Sequence, residues 1–260
     1  MARSMPRSNR DRWIVAAVAM TGLLFTGKAS GSDQVPMSSD PHSENWPLLD
    51  RMIYSLEEAG VLPGIRPFLM GTAYRESRFN PAAMNASPGE ARAAARGYRK
   101  ALERGYFVGS PWTEADRWGW GSGGWFGFLP SSGLSGGGKR GPWQHSDPMS
   151  VLVPAEAVGM AVAYIMGLIR QFAATGLGPA VPHEHRNWLA IRRGWAAPSL
   201  VKDYLEAEPR SRAVRARFLK DVALAMSITE RDAEELILRP VTVPTPVDLD
   251  RLLVALRQVR

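Results

Sequence analysis

Apolar residues recur at helical three-and-four spacing along most of the chain, and few stretches alternate at the period of two that marks a strand. Leu48, Leu49, Met52, Ile53 and Leu56 predict a first helix, with Gly60 beyond its end. A second runs from Ile65 to Ser77 and is mostly apolar through Phe68, Leu69 and Ala73. A third spans Ser87 to Arg104, opening on the capping pattern Ser-Pro-Gly-Glu and closing at Gly105. Pro154 to Thr175 is the longest and most apolar helical stretch and is expected at the centre of the core. Two further helices are predicted from His185 to Leu205, broken near Pro198, and from Pro209 to Met226. The Pro-rich run Pro240–Pro246 leads to a short amphipathic helix, Asp248–Val259, which either packs back or hangs free. The fold class is mainly α, and no internal repeat is visible.

Two regions break the pattern. Residues 109–147 are irregular and dense in glycine and tryptophan, with Trp112, Trp118, Trp120, Trp125 and Trp143. At the N-terminus, Arg3, Arg7, Arg10 and Arg12 precede an apolar run from Trp13 to Phe25, and Gly27-Lys28-Ala29 supplies a small-x-small cleavage pattern. The run is shorter than the ~20 residues a spanning helix needs, so residues 1–29 read as a removed signal peptide, with an uncleaved anchor as the alternative. The polar residues 30–43 follow as a linker. Export is the expected fate: to the periplasm, to the outside, or to the outer side of the cytoplasmic membrane.

This segment changes the meaning of the charge. The whole chain carries a formal +7; residues 1–29 account for +4 of it, which leaves +3 for the rest. A nucleic-acid partner is therefore not expected, despite a sequence pI near 10.0. The absence of cysteine excludes thiol nucleophiles, disulfides and Cys-ligated zinc.

The residue that carries most chemistry is Glu76, in Gly71-Thr72-Ala73-Tyr74-Arg75-Glu76-Ser77-Arg78-Phe79-Asn80-Pro81. Asn80-Pro81 is expected to stop the helix, because the residue before proline disfavours helical geometry. Glu76 then lies in or near the last turn, facing the negative end of the helix dipole beside Tyr74 and Phe79. Both conditions disfavour a charged carboxylate, and a carboxyl that keeps its proton is what a general acid needs to cleave a glycosidic bond. The plain alternative is a surface glutamate paired with Arg75 or Arg78.

Gly124-Trp125-Phe126-Gly127-Phe128-Leu129-Pro130 begins 48 residues after Glu76. Together with Glu76-Ser77-Arg78-Phe79-Asn80-Pro81-Ala82-Ala83, it resembles the lysozyme-like lytic transglycosylases of the soluble-lytic-transglycosylase and goose-lysozyme type. That family has Glu-Ser followed by x-Phe-x-Pro-x-Ala, then Gly-Leu-Met-Gln-Leu-Met-Pro. Its Asp-Pro before a long helix is similar to Asp147-Pro148 here, and the resemblance covers roughly residues 47–205. It implies a lysozyme-like helical domain over 44–227 with the Gly/Trp-rich stretch as an irregular insertion, and a C-terminal extension over 228–260. It also implies cleavage of the MurNAc–GlcNAc bond of peptidoglycan strands by Glu76 as the single acid/base, with no cofactor and no metal. Ser77, Trp120, Trp125, Phe126 and Gly127 are then the substrate-binding candidates, Trp120 and Trp125 as aromatic groove walls for sugar rings.

Gly127 stands where the family has glutamine, and Arg193-Gly194-Trp195-Ala196-Ala197-Pro198 is only a loose counterpart of its Ala-Tyr-Asn-Ala-Gly segment. These departures keep a second reading open: a degenerate glycan-binding or structural envelope or phage-like protein of the same fold. A hydrolase of inverting type would need a second carboxylate, for which Glu114 and Asp116 are candidates, although both also suit a helix start after Pro111-Trp112-Thr113.

Other motifs fail on context. Gly133-Leu134-Ser135-Gly136-Gly137 is followed by Arg140 and Pro142 where a nucleophile elbow needs a helix, and the same stretch has Arg140 where a phosphate loop needs Ser or Thr. His183-Glu184-His185 lacks a zincin's second histidine at position 187, which is Asn. The basic run Arg210, Arg212, Arg215, Arg217 and Lys220 reads as a solvated face that also suits an anionic envelope polymer or a membrane surface.

Overall fold

The computed structural model describes residues 45–103, 121–128, 148–173, 186–196, 209–241 and 249–259. Residues 1–29 and 30–43, expected to be a signal peptide or anchor and a linker, lie outside them. Among the described residues the protein is mainly helical, with only isolated β-bridges. In chain order the helices are α1 (Trp46–Glu58), α2 (Ile65–Ser77), α3 (Pro88–Glu103), a 3₁₀ helix (Pro148–Leu152), α4 (Pro154–Ala173), α5 (Trp188–Ala196), α6 (Pro209–Met226), α7 (Glu230–Ile237) and α8 (Leu249–Gln258). Among the described residues no helix is long and apolar enough to cross a membrane.

Two helices share the centre. The long α4 is buried along most of its described length, as its composition predicts. Helix α2 is buried nearly all round, including the polar Thr72 and Ser77. A helix without a solvent face must be walled on every side, and α2 packs on α1, α6 and α7. Its first turn has no side-chain cap of its own. Gly64 enters it with a left-handed backbone, and Glu57 at the end of α1 accepts the Arg66 N–H at 3.1 Å.

The α2–α6 contact is close because Gly71 carries no side chain. A Cβ there would meet Val222 Cγ2 at 2.4 Å and Val222 Cα at 3.2 Å. Gly71→Ala is expected to cost about 1–3 kcal/mol through overpacking, more than the ~1 kcal/mol of helix propensity it gains. Adding Val222→Ala removes the clashing methyls, so urea titrations of the single and double variants should show non-additive losses. Additive losses would mean that Gly71 does not set this approach. Arg75 reinforces the same seam through Asp221 on α6 at 2.8 Å.

The helices of the C-terminal segment pack onto the rest of the described residues. Helix α7 packs on α6 and α2, and α8 packs on α4 and α1. Ala233, Ile237, Leu252, Leu253 and Leu256 join the same buried core as α2 and α4. Of the two fates open to the last amphipathic helix, packing back is the one observed, with an ion pair from Arg257 to the largely buried Glu156 of α4. Helix α7 has a capping box that sequence reading passed over. Thr229 Oγ1 accepts the Asp232 N–H at 3.1 Å, and Asp232 Oδ2 accepts the Thr229 N–H at 3.4 Å.

Candidate functional site

Glu76 is the penultimate residue of α2, so the expected position in the last turn is observed. What ends the helix is different from expectation. Arg78 and Phe79 both adopt left-handed backbone, with φ of 53° and 64°, before Asn80-Pro81 is reached. A bulky residue such as Phe rarely takes this conformation unless its surroundings impose it. Here they do: the Phe79 ring is fully buried beside Tyr74, and its carbonyl accepts the indole N–H of Trp125 at 2.9 Å.

That hydrogen bond joins the two stretches singled out in the sequence. Residues 123–128 form a tight reversal in which Gly123 and Phe128 exchange backbone hydrogen bonds at 2.9 Å each way. Gly124 N–H donates to Ala83 O at 2.9 Å, which pins the reversal to the chain leaving α2. Ser77 adds the second tie: its hydroxyl lies 2.9 Å from Ala73 O and 3.1 Å from Trp125 O. The helix end and the Gly-Trp-Phe-Gly turn are thereby one rigid unit.

Three substrate-binding expectations change as a result. Trp125 is 0% exposed and Phe126 1%, so neither ring presents a face to a sugar. Ser77 is likewise fully buried and serves as a strut between helix and turn. These side chains build the site from below. Trp125→Phe is expected to cost about 1–3 kcal/mol, because the buried Phe79 carbonyl loses its donor. An unchanged urea midpoint would show that this tie contributes nothing. Trp120, the other expected groove wall, lies outside the described residues, as do Glu114, Asp116, Trp112, Trp118, Trp143, the Gly133–Lys139 stretch and His183-Glu184-His185.

Gly127 is the member of the set that meets Glu76 directly. Its φ is 61°, and a Cβ built on it would lie 3.3 Å from Glu76 Oε2 and 3.5 Å from Glu76 Cβ. The glycine therefore leaves open the space over the carboxylate where any other residue would press on it.

The partner of Glu76 is the finding that sequence reading missed. Neither Arg75 nor Arg78 holds it: Arg75 pairs with Asp221, and the Arg78 guanidinium lies 4.0 Å from the Tyr74 ring centroid. Instead Arg192 on α5 donates from Nη2 to Glu76 Oε1 at 2.7 Å, across 116 residues of sequence. The two side chains are 10% and 17% exposed. Oε2 makes no hydrogen bond among the described residues and is the oxygen on the Gly127 side. So the carboxylate is divided: one oxygen is bound by Arg192, and the other makes no hydrogen bond among the described residues.

Helix α5 holds this geometry through Trp195, three residues further along. Trp195 is buried against Phe126, Phe128, Tyr164 and Phe68, and Tyr164 OH donates to its carbonyl at 3.3 Å. The turn over Glu76 and the helix that carries Arg192 thus share one aromatic floor. In the sequence, Arg192 directly precedes the 193–198 segment discussed above, and no local pattern marks it as the partner of Glu76.

Compared with known protein families, with curated proteins and with solved structures, the chain matches none of them.

Proposed function

We propose that this protein is an exported lytic transglycosylase of lysozyme-like fold that cleaves the MurNAc–GlcNAc bond of peptidoglycan strands, with Glu76 as its single acid/base. One observation carries the reading. A partly exposed carboxylate at a helix end lies against a glycine turn with one oxygen free, and both elements come from the stretches that resemble the family. In this mechanism Oε2 delivers a proton to the bridging oxygen as the C1–O bond breaks and an oxocarbenium-like centre develops. The same oxygen then takes the proton of the sugar's own C6 hydroxyl, whose oxygen bonds to C1 and closes a 1,6-anhydro ring. Glu76 is regenerated and no water is consumed. A hydrolytic outcome would instead require a second carboxylate to activate water.

A second reading is favoured by a specific contact. Arg192 engages the carboxylate that must give and take the proton, which suits a protein that binds glycan without cleaving it. Incubation of the purified protein with sacculi separates the two. Release of 1,6-anhydromuropeptides supports the enzyme, whereas sedimentation with sacculi and no soluble product supports the binding protein. If the protein neither sediments nor releases product, both glycan readings are wrong.

A further inference from the structure

The Glu76–Arg192 pair is under-satisfied at both ends. A guanidinium and a carboxylate can make two parallel hydrogen bonds, but here a single one is made, Nη2 to Oε1 at 2.7 Å. Arg192 Nη1 is buried without an acceptor, and the guanidinium carbon lies 5.3 Å from the Phe218 ring centroid, a face that attracts a cation but replaces no acceptor. On the other side, Glu76 Oε2 has no donor among the described residues. A buried donor left unpaired retains its desolvation penalty, so any group that satisfies it is favoured beyond its simple charge.

A carboxylate carried by a ligand is such a group. Engaging both η nitrogens, it exchanges one monodentate contact for a bidentate one, satisfies the orphaned donor, and leaves Glu76 with both oxygens free. A sugar hydroxyl or an amide carbonyl is neutral and has no comparable claim on the arginine. The geometry points to Arg192 as the specificity-determining residue of this site: it takes an acidic group borne by the glycan, and in doing so releases Glu76 from its ion pair. The inference rests on the glycan reading above and adds a substrate requirement to it. Strands with a free lactyl carboxylate near the scissile bond are the preferred substrates, and strands whose carboxyl is masked as an amide, as it is where a peptide stem is attached, are cleaved about tenfold less well. The contact that argues for a binding protein then becomes the resting state of an enzyme.

The test compares two soluble substrates with the purified protein: oligosaccharides of alternating N-acetylglucosamine and N-acetylmuramic acid, and the same oligosaccharides with their carboxyls converted to N-methylamides. Wild type should prefer the acidic form in kcat/KM by about tenfold or more, the scale of a charge-assisted hydrogen bond. Arg192→Gln should bring that ratio to about one, and Arg192→Lys, which keeps the charge but loses the fork, should retain only part of it. Binding to Glu76→Gln, measured by calorimetry, should show the same acidic preference without turnover. Equal kcat/KM for the two forms in wild type overturns the role of Arg192 and leaves the transglycosylase reading standing; that comparison needs no variant to fold. Acid-selective binding to Glu76→Gln with no cleavage by wild type supports the Arg192 site and sinks the enzyme. Binding without preference, or no binding, overturns the inference.

Discussion

Glu76→Gln is expected to lower the release of anhydromuropeptides from sacculi by about 10²–10⁴-fold, the range that a positioned acid/base contributes. The substitution removes the exchangeable proton and little else. Glutamine has the shape of glutamate, and its carbonyl oxygen can still accept from Arg192 Nη2 where Oε1 now does at 2.7 Å. The fold should therefore survive, and thermal melting of the variant checks it. Affinity for sacculi should persist, because the turn at Gly124–Phe128 and its struts to Ser77 and Phe79 are untouched. Activity at the wild-type level in a folded variant would remove Glu76 from the mechanism altogether. The proposal depends on this residue more than on any other.

The largest stability effect is expected at Gly124. Its φ is 73°, and a Cβ there would sit 1.9 Å from the backbone oxygen of Val151 and 3.0 Å from its carbonyl carbon. Backbone cannot yield as a side-chain tip can, and Val151 is itself buried in the 3₁₀ helix that packs on α4. Either the turn lifts away or the 3₁₀ helix moves, and both carry Trp125 off its bonds to Ser77 and Phe79. Gly124→Ala should therefore cost about 3 kcal/mol or more, backbone strain and overpacking acting together. Gly60 is the control: its φ is 70° but nothing lies within 4 Å of its Cβ position. Gly60→Ala bears the left-handed strain alone, about 1–2 kcal/mol. Urea denaturation of the two variants should place Gly124→Ala well below Gly60→Ala. Equal midpoints would show that contact with Val151 is not what requires glycine.

Apolar spacing and end signals together served this chain well for most helices. The predicted spans Ile65 to Ser77 and Pro209 to Met226 coincide with α2 and α6, and Ser87 does accept the Glu90 N–H, at 3.4 Å, at the start of α3. Sequence reading missed α7, whose short length offers a single turn or two of pattern, although Thr229 and Asp232 spell its capping box. It also left α8 undecided, since amphipathicity states that a face needs cover and not what covers it. The tryptophans mark the same limit from the other side. Glycine around Trp125 suggested an open aromatic wall, whereas the indole N–H found the Phe79 carbonyl and the ring went under the turn.

What the sequence determined by itself is the mainly helical class, the ends of most helices, and the address of Glu76 in a last turn. These follow from residue spacing and local backbone preference, which act over a few positions. Only the tertiary structure decided the surroundings of that carboxylate: Gly127 open above it, Ser77 and Trp125 buried as its supports, and Arg192 bound to one of its oxygens. The reason is physical. An ion pair between residues 116 positions apart is set by how α5 and α2 pack around Phe68, Trp195 and Phe218, and no local pattern records that packing.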